Sequence, residues 1–106
     1  MGGLWEFPGG KVKKNESNIN ALSRELNEEL SIKIDMSCTD FFSNYSYKYR
    51  ELNLDLYFFT CTRWIGRIFP NEGQKIKWVK KNQIKASTLL PSNTIILNKV
   101  RQELLI

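Results

Sequence analysis

The chain contains no histidine and only two cysteines, Cys38 and Cys61. Without histidine, zinc sites built on imidazole ligands and every catalytic triad that uses a histidine base are excluded. The cysteines do not form a Cys-x-x-Cys pair, so we expect free thiols in a reducing compartment.

Long apolar runs are also missing. No stretch approaches the ~20 residues that a membrane-spanning helix needs. The first six residues, MGGLWE, do not have the basic start and apolar core of a signal peptide. We therefore expect a cytosolic protein without a membrane partner.

What remains is typical of one small globular domain spanning residues 1–106. Hydrophobic residues make up 42% and charged residues 25% of the chain, which is enough for a modest core. The formal charge of +5 includes a lysine-rich segment from Lys75 to Lys85. Such a charge attracts phosphate-bearing partners, although a solvated lysine surface is the simpler interpretation.

A helix is predicted from Ser17 to Leu30, with Ser17 or Asn18 as its N-cap. Its apolar positions recur at three- and four-residue steps and form one stripe: Ile19, Leu22, Leu26 and Leu30.

The rest of the chain predicts strands and a closing helix. Alternating aromatic residues favour a strand over Phe41–Tyr49, and the turn Arg50–Asn53 would join it to an antiparallel strand over Leu54–Thr62. A short strand is predicted at Lys75–Val79. After Pro91-Ser92-Asn93, a helix follows in which Ile96, Val100 and Leu104 are spaced for one face. This order predicts an α+β fold.

Three glutamates stand out on the first helix. Glu25, Glu28 and Glu29 lie at positions i, i+3 and i+4, so the spacing places them on one face. Their mutual repulsion destabilises the helix slightly, whereas a hard divalent cation such as Mg²⁺ prefers carboxylate oxygens as ligands. A solvated acidic face remains the alternative for this patch alone.

The residues around this patch resemble the Nudix box, Gly-x5-Glu-x7-Arg-Glu-U-x-Glu-Glu-x-Gly-U, where U is a bulky aliphatic residue. Eight of its nine specified positions match over 23 residues, and serine replaces the second glycine at position 31. The matching residues are Gly10, Glu16, Arg24, Glu25, Leu26, Glu28, Glu29 and Ile32. Flanking segments, among them WEFPGGK, the Glu72-Gly73-Gln74 loop and Pro91-Ser92-Asn93, are similar to MutT-type members of the Nudix family.

The resemblance implies a Nudix fold, with a mixed sheet between helices, and a metal centre. Glu25, Glu28 and Glu29, with the carbonyl of Gly10, would hold Mg²⁺, or alternatively Mn²⁺. Glu72 would approach the metal and help to orient or deprotonate a water molecule. In MutT-type enzymes that water attacks the β-phosphorus of a nucleoside triphosphate. The alternative for Glu72 is an ordinary solvated loop residue.

Two further roles, one that braces the ligands and one that binds substrate, follow from the same resemblance. Arg24 would pair with Glu16 and one helix carboxylate and so brace the ligands, the alternative being a weak surface ion pair. Lys11 would meet a phosphate, or else be a solvated loop lysine.

Asn93 and Phe7 are the candidate contacts to the base. A side-chain amide can accept a hydrogen bond from the N7–H of 8-oxoguanine while donating to O6, which guanine cannot match because its N7 carries no proton. The alternatives are that Asn93 caps the final helix and that Phe7 belongs to the core rather than stacking on the base.

The sequence departs from the family pattern in two places. Ser31 stands where a left-handed glycine is expected, at a cost of about 1 kcal/mol or less. Family members also begin with strands before the WEFPGG segment, so we expect the sheet to be incomplete at the N-terminus. A misassigned start, a truncated chain and a decaying gene are the three explanations left open.

The leading hypothesis is a Mg²⁺-dependent enzyme that hydrolyses 8-oxo-dGTP to 8-oxo-dGMP and pyrophosphate. We expect a monomer acting on a small nucleotide, with no stable nucleic-acid partner. Competing hypotheses are a Nudix hydrolase of a dinucleoside polyphosphate or a capped RNA, and a non-enzymatic protein. The latter would be a poorly folding remnant or a basic protein that holds nucleic acid.

Overall fold

A computed structural model describes residues 3–104 of the chain. Residues 8–76 form one compact unit, and residues 3–7 together with 77–104 form another. The expectation about the start of the chain falls on Met1 and Gly2, which lie outside the described residues, as do Leu105 and Ile106. Across the described part, no helix is long and apolar enough to cross a membrane.

The first element is helix α1, Asn18–Leu30, which confirms the helix predicted from periodicity. Ser17 is its N-cap, and its side-chain hydroxyl accepts a hydrogen bond from the backbone N–H of Asn20 at 3.2 Å. The helix ends at Ser31, whose φ of 62° and ψ of 28° place it in the left-handed region. The position where the family pattern has glycine therefore does adopt the conformation that glycine favours.

A small core lies beneath this helix. Strand β1, Lys33–Ile34, pairs antiparallel with strand β4, Trp64–Ile65. Apolar side chains from the end of α1 and from β1 are buried together, and partly buried side chains pack around them. The buried members are Leu26, Leu30, Ile32 and Ile34, and the surrounding ones are Leu22, Cys61, Trp64 and Ile68.

The predicted hairpin is confirmed as strands β2, Thr39–Tyr49, and β3, Leu52–Cys61, which pair antiparallel. Its turn is shorter than predicted. Leu52 and Asn53 already pair with β2, so that only Arg50 and Glu51 remain in the turn. Arg50 has a φ of 55°, as expected for a tight two-residue hairpin turn.

The strand predicted at Lys75–Val79 is wrong. Residues 74–80 are irregular in the structure. An alternating pattern describes a strand only when a neighbouring strand takes up its backbone hydrogen bonds. The two sheets found within residues 3–104 consist of β1 with β4 and β2 with β3, and neither includes this segment.

In the second unit, Trp5 forms an isolated parallel bridge with Leu89. The predicted closing helix is divided into α2, Pro91–Thr94, and α3, Leu97–Glu103. Leu89, Ile96, Leu97 and Val100 are buried in the structure. Helices and antiparallel strands together confirm the α+β class.

Asn93 lies inside α2, and the N-cap of α3 is Ile96, which makes no side-chain capping bond. The alternative that Asn93 caps the final helix is therefore wrong. Pro91 at the first helical position starts a separate short helix, which places Asn93 one turn too early to cap α3.

Candidate metal and nucleotide site

Arg24 is the centre of a hydrogen-bonded group that fixes one side of α1. Its Nε donates to Oε2 of Glu16 at 2.9 Å, and its Nη2 donates to Oε1 of Glu16 at 3.0 Å. Nη2 also donates to the carbonyl of Lys11 at 2.8 Å, and Nη1 to Oε1 of Glu25 at 2.9 Å. We call Glu16, Arg24 and the Lys11 carbonyl the brace. The pairing expected for Arg24 is present.

The brace stabilises the charged form of its members. The hydrogen bonds from Arg24, and then the one from the backbone N–H of Lys13, lower the pKa of Glu16 to about 2. The same carboxylates, Glu16 first and Glu25 next, raise the pKa of the Arg24 guanidinium above its ordinary value. A bidentate arginine–carboxylate pair also has a defined geometry, so the brace holds the side chain of Glu25 in a defined orientation.

A second group carries excess negative charge. Burial, and then the charges of Glu25 and Glu72, raise the pKa of Glu29 from 4.5 to about 7. A hydrogen bond with the Glu25 carboxyl raises this pKa further, whereas the backbone N–H of Gly9 lowers it. We call Glu25, Glu29 and Glu72 the carboxylate cluster. The charges of Glu25 and of Glu72 each oppose the ionisation of Glu29, as like charges near a carboxylate do.

Gly10 lies directly against this cluster. A Cβ built on Gly10 would come within 2.2 Å of Cδ of Glu25 and within 2.5 Å of both of its carboxylate oxygens. Since any larger residue would displace Glu25, the absence of a side chain at Gly10 allows the backbone to approach the carboxylate. The predicted pair of Gly10 and Glu25 is therefore brought together.

Glu28 is placed differently from its two partners in the motif. Its side chain is 55% exposed, and it meets Nη1 of Arg24 at 3.4 Å. Between residues 3 and 104, no group of three or more Asp, Glu, Cys or His side chains is already gathered closely enough to hold a metal ion. The donor set nevertheless fits a hard divalent cation, because such cations prefer carboxylate and carbonyl oxygens as ligands.

The candidate base-binding residues lie in the other unit. Oδ1 of Asn93 accepts a hydrogen bond from the backbone N–H of Phe7 at 2.8 Å, and its Nδ2 donates to Oγ of Ser92 at 3.3 Å. Because the Phe7 N–H can only donate, this bond fixes which end of the amide is oxygen. Lys11 is exposed, and its backbone rather than its ammonium group joins the brace.

Sequence reasoning missed three contributors to the site: Ser31, Asn71 and Gln74. They connect the end of α1 to the loop that carries Glu72. The turn signal in PNEG marked a loop at this point, but nothing local in the sequence indicated what the loop would contact.

The NUDIX domain family model matches residues 1–100 of the chain. The chain belongs to the Nudix hydrolase family. Nudix hydrolases generally need divalent metal ions, in agreement with the acidic character of the cluster.

Similar proteins include enzymes and a solved structure. The 8-oxo-dGTP diphosphatase of Buchnera aphidicola subsp. Schizaphis graminum is 41% identical over 99 residues, which cover 93% of this chain and 73% of that protein. The CTP pyrophosphohydrolase of Escherichia coli is 30% identical, with 90% of this chain and 69% of that protein covered. A MutT structure, from work on the Aliivibrio salmonicida and Vibrio cholerae proteins, has a TM-score of 0.78 at 33% identity and covers 98% of this chain and 79% of its own. The Nudix fold and the MutT-type resemblance are thereby confirmed.

Proposed function

We propose that this Nudix hydrolase converts 8-oxo-dGTP and water into 8-oxo-dGMP and pyrophosphate, with Mg²⁺ as its metal and Mn²⁺ as a possible substitute. By removing an oxidised nucleotide from the pool, it would limit replication errors. The observation that carries the proposal is the carboxylate cluster, formed by α1 and the loop that carries Glu72, in a chain whose relatives include an 8-oxo-dGTP diphosphatase.

Glu25, Glu29 and the carbonyl of Gly10 would hold the cation, with Glu28 and Glu72 completing the set. When bound, the cation neutralises phosphate charge and acidifies a water molecule. Burial and the neighbouring carboxylates raise the pKa of Glu29, and the positive charge of the cation would lower it again, because only the ionised carboxylate is a good ligand.

The protein groups supply orientation and proton transfer. Arg24 holds one carboxylate oxygen of Glu25 through its Nη1, which would fix the orientation of that ligand. Glu72 orients the attacking water and accepts its proton. The water oxygen forms a new bond to the β-phosphorus. The bond from that phosphorus to the oxygen bridging to the α-phosphorus breaks, and the monophosphate leaves with the bridging oxygen.

Selection of the oxidised base would depend on Asn93. After bonding to Phe7 and Ser92, its Oδ1 retains a second lone pair and its Nδ2 a second hydrogen. These can accept from the N7–H and donate to the O6 of 8-oxoguanine. Guanine presents a lone pair at N7, so Oδ1 would face another acceptor. Phe7 would stack on the base and Lys11 would meet a phosphate.

Incubation with 8-oxo-dGTP and Mg²⁺ in ¹⁸O-water tests both the reaction and its site of attack. We expect 8-oxo-dGMP and pyrophosphate, with the label in pyrophosphate. A Glu103→Gln variant, which changes an exposed helical glutamate outside the cluster, should turn over normally, whereas Glu29→Gln should not. Equal rates for both variants, or no turnover by a chain that melts cooperatively, would contradict the proposal. If the chain does not melt cooperatively, the result would instead favour the alternative of a poorly folding, inactive remnant of a Nudix hydrolase.

A pyrimidine triphosphate is the second candidate substrate, because the CTP pyrophosphohydrolase of E. coli is also a relative. Values of kcat/KM for 8-oxo-dGTP, dGTP and CTP would decide between them. An Asn93→Ala variant should lose the preference for 8-oxo-dGTP over dGTP. A wild-type preference for CTP would replace the proposed substrate without affecting the proposed chemistry.

A further inference from the structure

The C-terminal end of α1 is capped by a distant loop. The last carbonyls of a helix have no partner within the helix and must find one elsewhere. Here residues 69–74, which we call the capping loop, supply the donors. The N–H of Phe69 donates to the carbonyl of Leu30 at 2.9 Å, and the N–H of Asn71 to that of Glu29 at 2.9 Å.

Two side chains of the capping loop add further hydrogen bonds. Nδ2 of Asn71 donates to the carbonyl of Glu28 at 3.0 Å, and Nε2 of Gln74 donates to the carbonyl of Glu29 at 3.2 Å. The loop is therefore joined to the backbone of the same two glutamates whose side chains belong to the Nudix box.

Ser31 joins the loop from the other side. Its hydroxyl donates to Oδ1 of Asn71 at 2.8 Å. The hydroxyl must be the donor because Nδ2 of Asn71 already faces a carbonyl and Oδ1 can only accept. A glycine, which the family pattern has at this position, could not form this bond. Ser31 thus keeps the left-handed backbone conformation that the family glycine favours, and it adds a side-chain hydrogen bond that glycine cannot form.

Glu72 lies between the two anchored residues of the loop. Asn71 precedes it directly, and the Oε1 of Gln74 accepts a hydrogen bond from the backbone N–H of Glu72 at 3.0 Å. The hydrogen bonds that cap α1 therefore also anchor the loop backbone on both sides of Glu72.

We propose that Ser31 and Asn71 are positioning residues, whose hydrogen bond holds the capping loop so that the Glu72 carboxylate faces Glu25 and Glu29. This inference rests on the proposed function, since it matters for turnover only if Glu72 acts on water or metal. The replacement of the family glycine by serine is then a functional feature of this chain rather than a small loss of stability.

Ser31→Gly is the decisive variant because it separates stability from activity. Glycine relieves the left-handed strain, so the melting temperature should stay equal or rise. The hydrogen bond is lost, and we expect kcat to fall about 5- to 10-fold, the equivalent of about one hydrogen bond, with KM within about twofold. Ser31→Ala should show the same fall in kcat with a lower melting temperature. Ser46→Ala, which removes a comparable exposed hydrogen bond to Asp55, is the matched control and should leave kcat unchanged.

A double-mutant cycle shows whether Ser31 acts through Glu72. In a Glu72→Gln background, Ser31→Gly should lower kcat no further, because the carboxylate that it positions is gone. The same 5- to 10-fold fall in both backgrounds would overturn the inference, as would an unchanged kcat for Ser31→Gly alone.

Amide hydrogen exchange tests the anchoring independently of turnover. The N–H of Asn71 should exchange faster in Ser31→Gly than in wild type or Ser46→Ala. If the wild-type chain turns over no nucleotide, the proposed function fails and exchange alone decides the inference. If Glu72→Gln is slow but Ser31→Gly changes neither kcat nor exchange, the inference fails and the proposed function stands.

Discussion

The brace and the carboxylate cluster both contain glutamates and are linked by the hydrogen bond from Arg24 to Glu25, yet their carboxylates titrate in opposite directions. In the brace, Arg24 lowers the pKa of Glu16 to about 2. In the cluster, burial and neighbouring carboxylates raise the pKa of Glu29 to about 7. A carboxylate that has its own guanidinium needs no metal, whereas one among like charges is stabilised by an added cation. The brace therefore orients the side chains of the site, whereas the carboxylate cluster is the part suited to binding a cation.

The largest effect is expected from Glu29→Gln. Removing a ligand from the cluster should weaken cation binding and lower kcat about 10³-fold, because the metal supplies several kcal/mol of transition-state stabilisation. Turnover as a function of Mg²⁺ concentration measures both quantities. The corresponding change in the brace, Glu16→Gln, should leave cation affinity nearly unchanged. Equal losses of cation affinity would mean that the two groups do not differ in function.

Arg24→Lys should have the next largest effect. Lysine keeps the positive charge but cannot make the two parallel bonds to Glu16 while also reaching Glu25. Loss of a group that orients ligands typically reduces activity about 10- to 100-fold. The pKa of Glu16 should rise toward its ordinary value, which NMR titration can follow. Wild-type kcat with an unchanged Glu16 pKa would show that charge alone, rather than geometry, holds the brace.

Gly10→Ala should displace Glu25, the residue that connects the brace to the carboxylate cluster. The added Cβ would overlap the Glu25 carboxylate, which Arg24 holds in place. We expect roughly tenfold weaker Mg²⁺ binding, as for other changes that misplace ligands. Val12→Ala changes an exposed residue in the same segment and serves as the control. Identical Mg²⁺ titrations of the two variants would remove Gly10 from the site.

The smallest effect concerns stability without metal. The folded-state pKa of Glu29 is raised from 4.5 to about 7, so the folded protein binds more protons than the unfolded one in that interval. Stability should therefore fall as pH rises from about 4.5 to about 7, by about 1 kcal/mol after screening by solvent. For Glu16 the sign is reversed, and its contribution is lost as pH falls from 4.5 toward 2.

Urea unfolding in the presence of a chelator across this pH range measures both changes in the free energy of unfolding. We call the fall from about pH 4.5 to about 7 the neutral limb and the fall from about pH 4.5 toward 2 the acid limb. Glu29→Gln should flatten the neutral limb only, and Glu16→Gln the acid limb only. Saturating Mg²⁺ should remove the neutral limb in the wild-type chain, because the cation favours the ionised cluster. A neutral limb that persists in Glu29→Gln would have another origin.

Much of the fold followed from local patterns. The period of apolar residues predicted α1, and alternation together with a polar turn predicted the β2–β3 hairpin. The same reasoning failed at residues 75–79, where the alternation is present but no strand forms. Periodicity describes which face a segment would bury, but a strand also requires a partner that a local pattern cannot supply.

The sequence alone determined which groups carry charge, their spacing along α1 and the family to which the chain belongs, because these depend on residues only a few positions apart. The tertiary structure decided which of these charged groups lie near one another and which distant residues they contact. It brought the charge of Glu72 close to Glu29, and it joined Ser31 to Asn71 across 40 positions and Phe7 to Asn93 across 86. Contacts over such separations depend on how the chain packs, and so no local pattern contains them.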